Sequence, residues 1–177
     1  TAGAVFRQAQ ATANRLTRAN MNIPELIMAI QMERANILES QIMDQMEDMQ
    51  KRNEWLRDAN AALAQLRTAR PNEADGDAVQ YGSFTDVNGE TKSVKEWMDA
   101  NGVQIENTGN DSQGKQFEFD AAIQNLKASI DTANTNSQMD MVRLQGLMDK
   151  RNQTFDLMTN TLSKTGKSMD GVIGNMR

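Results

Sequence analysis

The chain has 177 residues, a formal net charge of −5, 38% hydrophobic and 5% aromatic content, and neither cysteine nor histidine. So few aromatics argue against one large compact core and for a long, thin helical object, with thirteen methionines as adaptable seam residues. Lack of cysteine excludes a disulfide framework or thiolate metal site, lack of histidine removes the commonest acid–base group and metal ligand, and the acidic balance opposes binding to nucleic acid.

The charge is unevenly spread: +3 over residues 1–20, −2 over 21–70, −8 over 71–120, 0 over 121–138 and +2 over 139–177. The middle is acidic and the ends are basic. The apolar run "LIMAIQM" falls far short of the roughly 18 to 20 residues that a membrane span needs. No stretch reads as a secretory signal peptide.

Residues 1–70 form the first predicted region, an N-terminal segment followed by a long helix. From Met21 to Arg70 there is no glycine, and Pro24, the only proline there, falls in the first turn. Alternating steps of three and four from Ala35 land on Leu38, Ile42, Gln45, Met49, Arg52, Leu56, Ala59, Leu63 and Leu66, a heptad-like stripe with two polar interruptions. At about 1.5 Å per residue such a helix is roughly 70 Å long and needs a partner along its stripe. Ile23, Ile27, Ile30, Met32 and Met46 lie beside the seam as surplus apolar positions.

Pro71 ends this helix, and residues 71–116 form an acidic insert with glycines at 76, 82, 89, 102, 109 and 114. Asn88-Gly89 signals a turn and a short hairpin. Ser93 can cap a helix from Val94 to Ala100 that Asn101-Gly102 stops, with Trp97, Met98, Val103 and Ile105 as a small core. Residues 117–177 return to helical periodicity through Ile123, Leu126, Ile130 and Ala133. Beyond Ser137 the stripe reads Met141, Leu144, Met148, Arg151, Phe155, Met158, Leu162, Thr165, Met169, Val172 and Met176. Two successive four-residue steps, 133 to 137 to 141, predict a local shift of heptad phase.

The motifs that invite chemistry are incomplete. Gly166-Lys167-Ser168 ends like a phosphate-binding loop, but the required glycine five residues earlier is Thr161 and the preceding segment is helical rather than a strand. The acidic turns at Asp75-Gly76-Asp77 and Asn110-Asp111 lack the glycine and glutamate spacing of a calcium loop. Asn152-Gln153-Thr154 is a glycosylation sequon placed within a helix. Trp55 reads as an interface aromatic and Trp97 as core of the insert. No enzyme activity, cofactor or metal is expected.

The predicted fold is mainly α: two long antiparallel helices forming a coiled-coil hairpin, with a small irregular or α+β insert between them. Two narrow stripes make a thin core, so the chain is expected to assemble with copies of itself into a helical polymer. The residues expected at the self-assembly interface are Ile27, Ile30, Leu38, Ile42, Met49, Leu56, Leu63, Met141, Leu144, Met148, Phe155, Met158, Leu162, Met169 and Val172.

The segment Asn136–Arg177, "NSQMDMVRLQGLMDKRNQTFDLMTNTLSKTGKSMDGVIGNMR", resembles the C-terminal coiled-coil segment of the translocator filament and tip proteins of bacterial type III secretion systems, the EspA/SseB-like group. "SVKEWMDANGVQIEN", Ser93–Asn107, resembles the short helix and Asn-Gly turn that precede it in that group. The resemblance implies a secreted subunit of an extracellular, cell-surface appendage. It would polymerise into a hollow filament on the needle, with the insert facing outward and effector proteins passing along the lumen. It also implies needle or tip proteins and translocator pore proteins as partners, and a cytoplasmic secretion chaperone before export. A needle-tip scaffold that forms no long filament, or a helical chaperone or adaptor, is the alternative. The highly charged first helix departs from the filament relatives.

Overall fold

A computed structural model of the chain describes residues 22–105, 109 and 111–175, with residues 4, 7, 8, 10, 11, 14 and 15 near the start and side chains as far as Lys164. It is mainly helical. Helix α1 spans Ile23–Ala69 and α3 spans Gln116–Asn175. Between them lie strands β1 (Val79–Gln80), β2 (Ser83–Thr85) and β3 (Thr91–Ser93), the short helix α2 (Val94–Ala100) and strand β4 (Gln113–Gly114).

Capping residues fix the helix ends. Asn22 Oδ1 accepts the Glu25 backbone N–H at 2.9 Å, and the Glu25 carboxylate accepts the Asn22 N–H at 3.3 Å, a reciprocal box that satisfies two otherwise orphaned donors. At the start of α3 the Lys115 N–H donates to Glu118 Oε2 at 2.7 Å. The Gln116 amide donates to the carbonyls of Pro71 and Asn72, both at 3.1 Å, tying the end of α1 to the beginning of α3.

By packing, the chain divides into two compact units: unit 1 comprises Thr1–Glu47 and Met141–Arg177, and unit 2 comprises Asp48–Asp140. Unit 2 holds one contiguous core. Ala59, Ala62, Leu63 and Leu66 of α1 and Phe119, Ala122, Leu126 and Ile130 of α3 enclose Tyr81, Phe84, Val94, Met98, Val103 and Ile105 of the insert. Tyr81 lies on Phe119 with ring centroids 4.8 Å apart, and Phe84 meets Trp97 edge to face at 5.7 Å. The expected small core of the insert is thus fused with the helices. Trp55 belongs to it too, packed on Trp97 at 5.8 Å.

The two strand pairs are antiparallel. β2 and β3 form the expected hairpin, Ser83 opposite Ser93 and Thr85 opposite Thr91. Its turn closes on Asp86, whose carboxylate accepts the N–H groups of Asn88 and Glu90, while Gly89 takes the left-handed φ of 82°. β1 and β4, paired Val79 to Gly114 and Gln80 to Gln113, close the insert at its base. A side chain at Gly114 would collide with the Tyr81 phenol, so close approach demands glycine there. Ser93 caps α2 as expected, accepting from the Glu96 N–H, and Gly102 ends it at φ 69°.

Ion pairs join α1 to α3 within unit 2. Arg70 forks onto both oxygens of Asp120 at 2.5 and 2.9 Å. Those hydrogen bonds, opposed by desolvation and aided by charge attraction, raise the Arg70 pKa and lower that of Asp120. Arg52 donates to Asp140 at 2.8 Å, with the carboxylate buried.

In unit 1, α1 buries Ala35, Leu38, Ile42 and Gln45, the stripe that the sequence spacing picks out. On α3 Thr154 is fully buried, and Leu144, Leu147, Arg151, Met158 and Thr161 are half-buried. Arg151 lies 4.0 Å from Glu39.

Candidate self-association surface

The stripe expected on α3 splits in two. Leu144, Arg151 and Met158 turn inward, whereas Met141, Met148, Phe155 and Leu162 are 52%, 39%, 42% and 59% exposed. The inward positions alternate instead through Leu147, Thr154 and Thr161, one residue before each exposed member. The expected step from Ser137 to Met141 is likewise replaced by a step to buried Asp140.

Two causes set this phase. In unit 2, Arg52 occupies a seam position on α1, so a carboxylate must face it, and Asp140 answers where Met141 cannot. In unit 1, Thr154 donates its hydroxyl to the Lys150 carbonyl at 2.8 Å. The hydroxyl is thereby satisfied within its own helix, and threonine enters the seam without an orphaned polar atom.

The result is an apolar row at every seventh residue, Met141, Met148, Phe155 and Leu162, on the outside of α3. Seven residues make nearly two turns, so these side chains share one face. Val142 and Leu157 are exposed on other faces of α3. On α1 of the same unit Ile23, Ile27, Met32, Met43 and Met46 are exposed. Met43, Val142 and Leu157 were not among the sequence candidates, because stepping along a single stripe passes over apolar residues on the other faces of a helix.

Of the remaining candidates, Leu38, Ile42 and Leu63 are buried within the chain, and Ile30, Met49 and Leu56 are half-buried, Leu56 against the core of unit 2. The side chains of Met169 and Val172 lie outside the described residues, as does that of Lys167. Among the described residues no acidic cluster is placed to hold a metal ion, and no helix is long and apolar enough to cross a membrane. Comparison of the chain with protein-family models, curated proteins and solved structures finds no match.

Proposed function

We propose that this chain is a structural subunit that self-associates into a secreted, hollow helical filament of a type III secretion system, a conduit for effector proteins. The reading carries with it the partners such a subunit requires: further copies of itself, needle or tip proteins, translocator pore proteins and a chaperone before export. The observation that carries it is the row Met141, Met148, Phe155 and Leu162, apolar, at heptad spacing and left exposed among the described residues. Resemblance of Ser93–Asn107 and Asn136–Arg177 to the EspA/SseB-like group supplies the biological setting.

The subunit is read as an antiparallel coiled-coil hairpin. Ion pairing supports that geometry: within unit 2 the α1 partner steps back from Arg70 to Arg52 as the α3 partner steps forward from Asp120 to Asp140. Within unit 1, Glu39 faces Arg151 in the same sense. A second copy laid along the outer row through a contact that does not close on itself generates a helical polymer.

The test is negative-stain microscopy and light scattering of the purified chain beside the double variant Met148→Asp, Phe155→Asp. The parent forms filaments. The variant stays monomeric with unchanged helicity, because both residues are exposed in the single chain and the added carboxylates are desolvated only in an assembly. A parent monodisperse at all concentrations, or filaments that survive the double substitution, would refute the reading. Short, closed particles would point to the tip scaffold.

A further inference from the structure

Unit 2 carries an open groove of about 790 Å³ between α1, the turn after α2, and α3. Its lining shares no residue with the exposed row of α3. Its size falls within the range of about 300–1,000 Å³ typical of small-molecule sites. We propose that this groove binds a neutral saccharide.

The Trp55 indole forms part of the groove wall. Its N–H donates to Asn101 Oδ1 at 2.9 Å, Asn101 in turn donates to the Trp97 carbonyl at 2.7 Å, and Trp97 packs beside the Trp55 ring. The indole is therefore held in place before any ligand arrives, which lowers the ordering cost of binding. A tryptophan with one polar edge satisfied and a large apolar face suits a ligand that has an apolar face of its own.

Across the groove, Ser129, Thr132 and Asn136 fall at i, i+3 and i+7 along one face of α3. Ser129 and Thr132 donate their hydroxyl protons to the carbonyls of Asn125 and Ala128, which leaves their oxygens to accept hydrogen bonds. Asn136 adds an amide that both donates and accepts. Gly102 and Ala128 put little bulk into the lining. A ring with C–H groups on one face and hydroxyls around its edge meets both walls.

Charge and backbone exclude the competitors. Arg52 is engaged by Asp140, and the charge of Lys51 is offset by that of Asp48 three residues away, so the lining has no surplus cation for a phosphate. Most of the lining comes from two helices, whose backbone groups are already paired, so no strand edge is offered to a peptide.

The test follows tryptophan emission and backbone amide shifts of the full chain during titration with glucose, galactose and N-acetylglucosamine, each to about 10 mM, where a millimolar site is mostly filled. At least one of these sugars gives a saturable response centred on Trp55, Gly102 and Ser129. Asn136→Ala and Ser129→Ala each weaken it on the order of tenfold with unchanged helicity, the loss of about one hydrogen bond. Absence of a saturable response to all three sugars overturns the proposal. So does equal affinity in both variants, or a response to inorganic phosphate alone.

Discussion

Unit 2 closes its core with five aromatic rings, Trp55, Tyr81, Phe84, Trp97 and Phe119, whereas unit 1 draws on the same two helices and closes its seam with Ala35, Leu38, Ile42 and a buried threonine. Among the described residues, unit 1 also buries Gln31 Oε1 and Arg151 Nε without a hydrogen-bond partner. Each such atom costs about 1–3 kcal/mol. Among the described residues, unit 1 in addition leaves the row from Met141 to Leu162 exposed, while in unit 2 the insert packs against both helices. The difference teaches that an insert can complete a two-helix seam from within the chain, and that where the insert stops, completion falls to something outside it.

The sharpest way to break that ranking is by deletion in each core. Phe119→Ala removes a fully buried ring from unit 2 and is expected to cost about 3–5 kcal/mol. Leu38→Ala in unit 1 is expected to cost about 2 kcal/mol, at the low end for a seam that can collapse. Amide exchange read separately in residues 48–140 and in the remainder measures both, and a larger loss at Leu38 reverses the order.

A smaller effect of opposite sign comes from Arg151→Met. It removes the unpartnered Nε and gives up only a distant contact with Glu39, so unit 1 should gain about 1 kcal/mol. A loss of stability instead would show that the guanidinium holds the seam together.

The finest probe is Tyr81, the single tyrosine of the chain. Burial first, then the charges of Glu118 and Asp111, push its pKa from 10.0 up to about 12. A raised folded-state value means that this contribution to stability is fully present below the unfolded pKa of about 10 and is lost as the pH rises through about 12. Phenolate absorbance should therefore appear late in an alkaline titration of the folded chain. A midpoint near 10 with helicity intact would show unit 2 to be as loosely closed as unit 1.

Much of this was legible in sequence order. The α1 stripe from Ala35 to Leu66, the Asn88-Gly89 turn, the Ser93 cap and the Gly102 stop all depend on residues within a few positions of one another, and each stands where local spacing puts it. The β1–β4 pair was not legible, because two residues on either side of a long interval carry no periodic signal. The phase of α3 was not legible either. Choosing Asp140 over Met141 requires knowledge of Arg52 across the seam, and hydrophobicity ranks Phe155 above Thr154 for burial when the structure has the reverse. The candidate surface was therefore half visible: its residues were singled out, but as part of a seam from which the structure turns four of them away.

The division of the chain at residues 47 and 141 also bears on the order in which it folds. Unit 2 is one continuous stretch of sequence, so its contacts close within themselves. Unit 1 joins two segments from opposite ends of the chain, and its contacts cannot form cheaply until unit 2 has brought α1 and α3 together and so absorbed the loop-closure entropy. Substitutions in unit 2 should then slow folding, and those in unit 1 should chiefly speed unfolding. The two segments of unit 1, last to fasten and first to loosen, are then the parts of the folding chain that stay open longest.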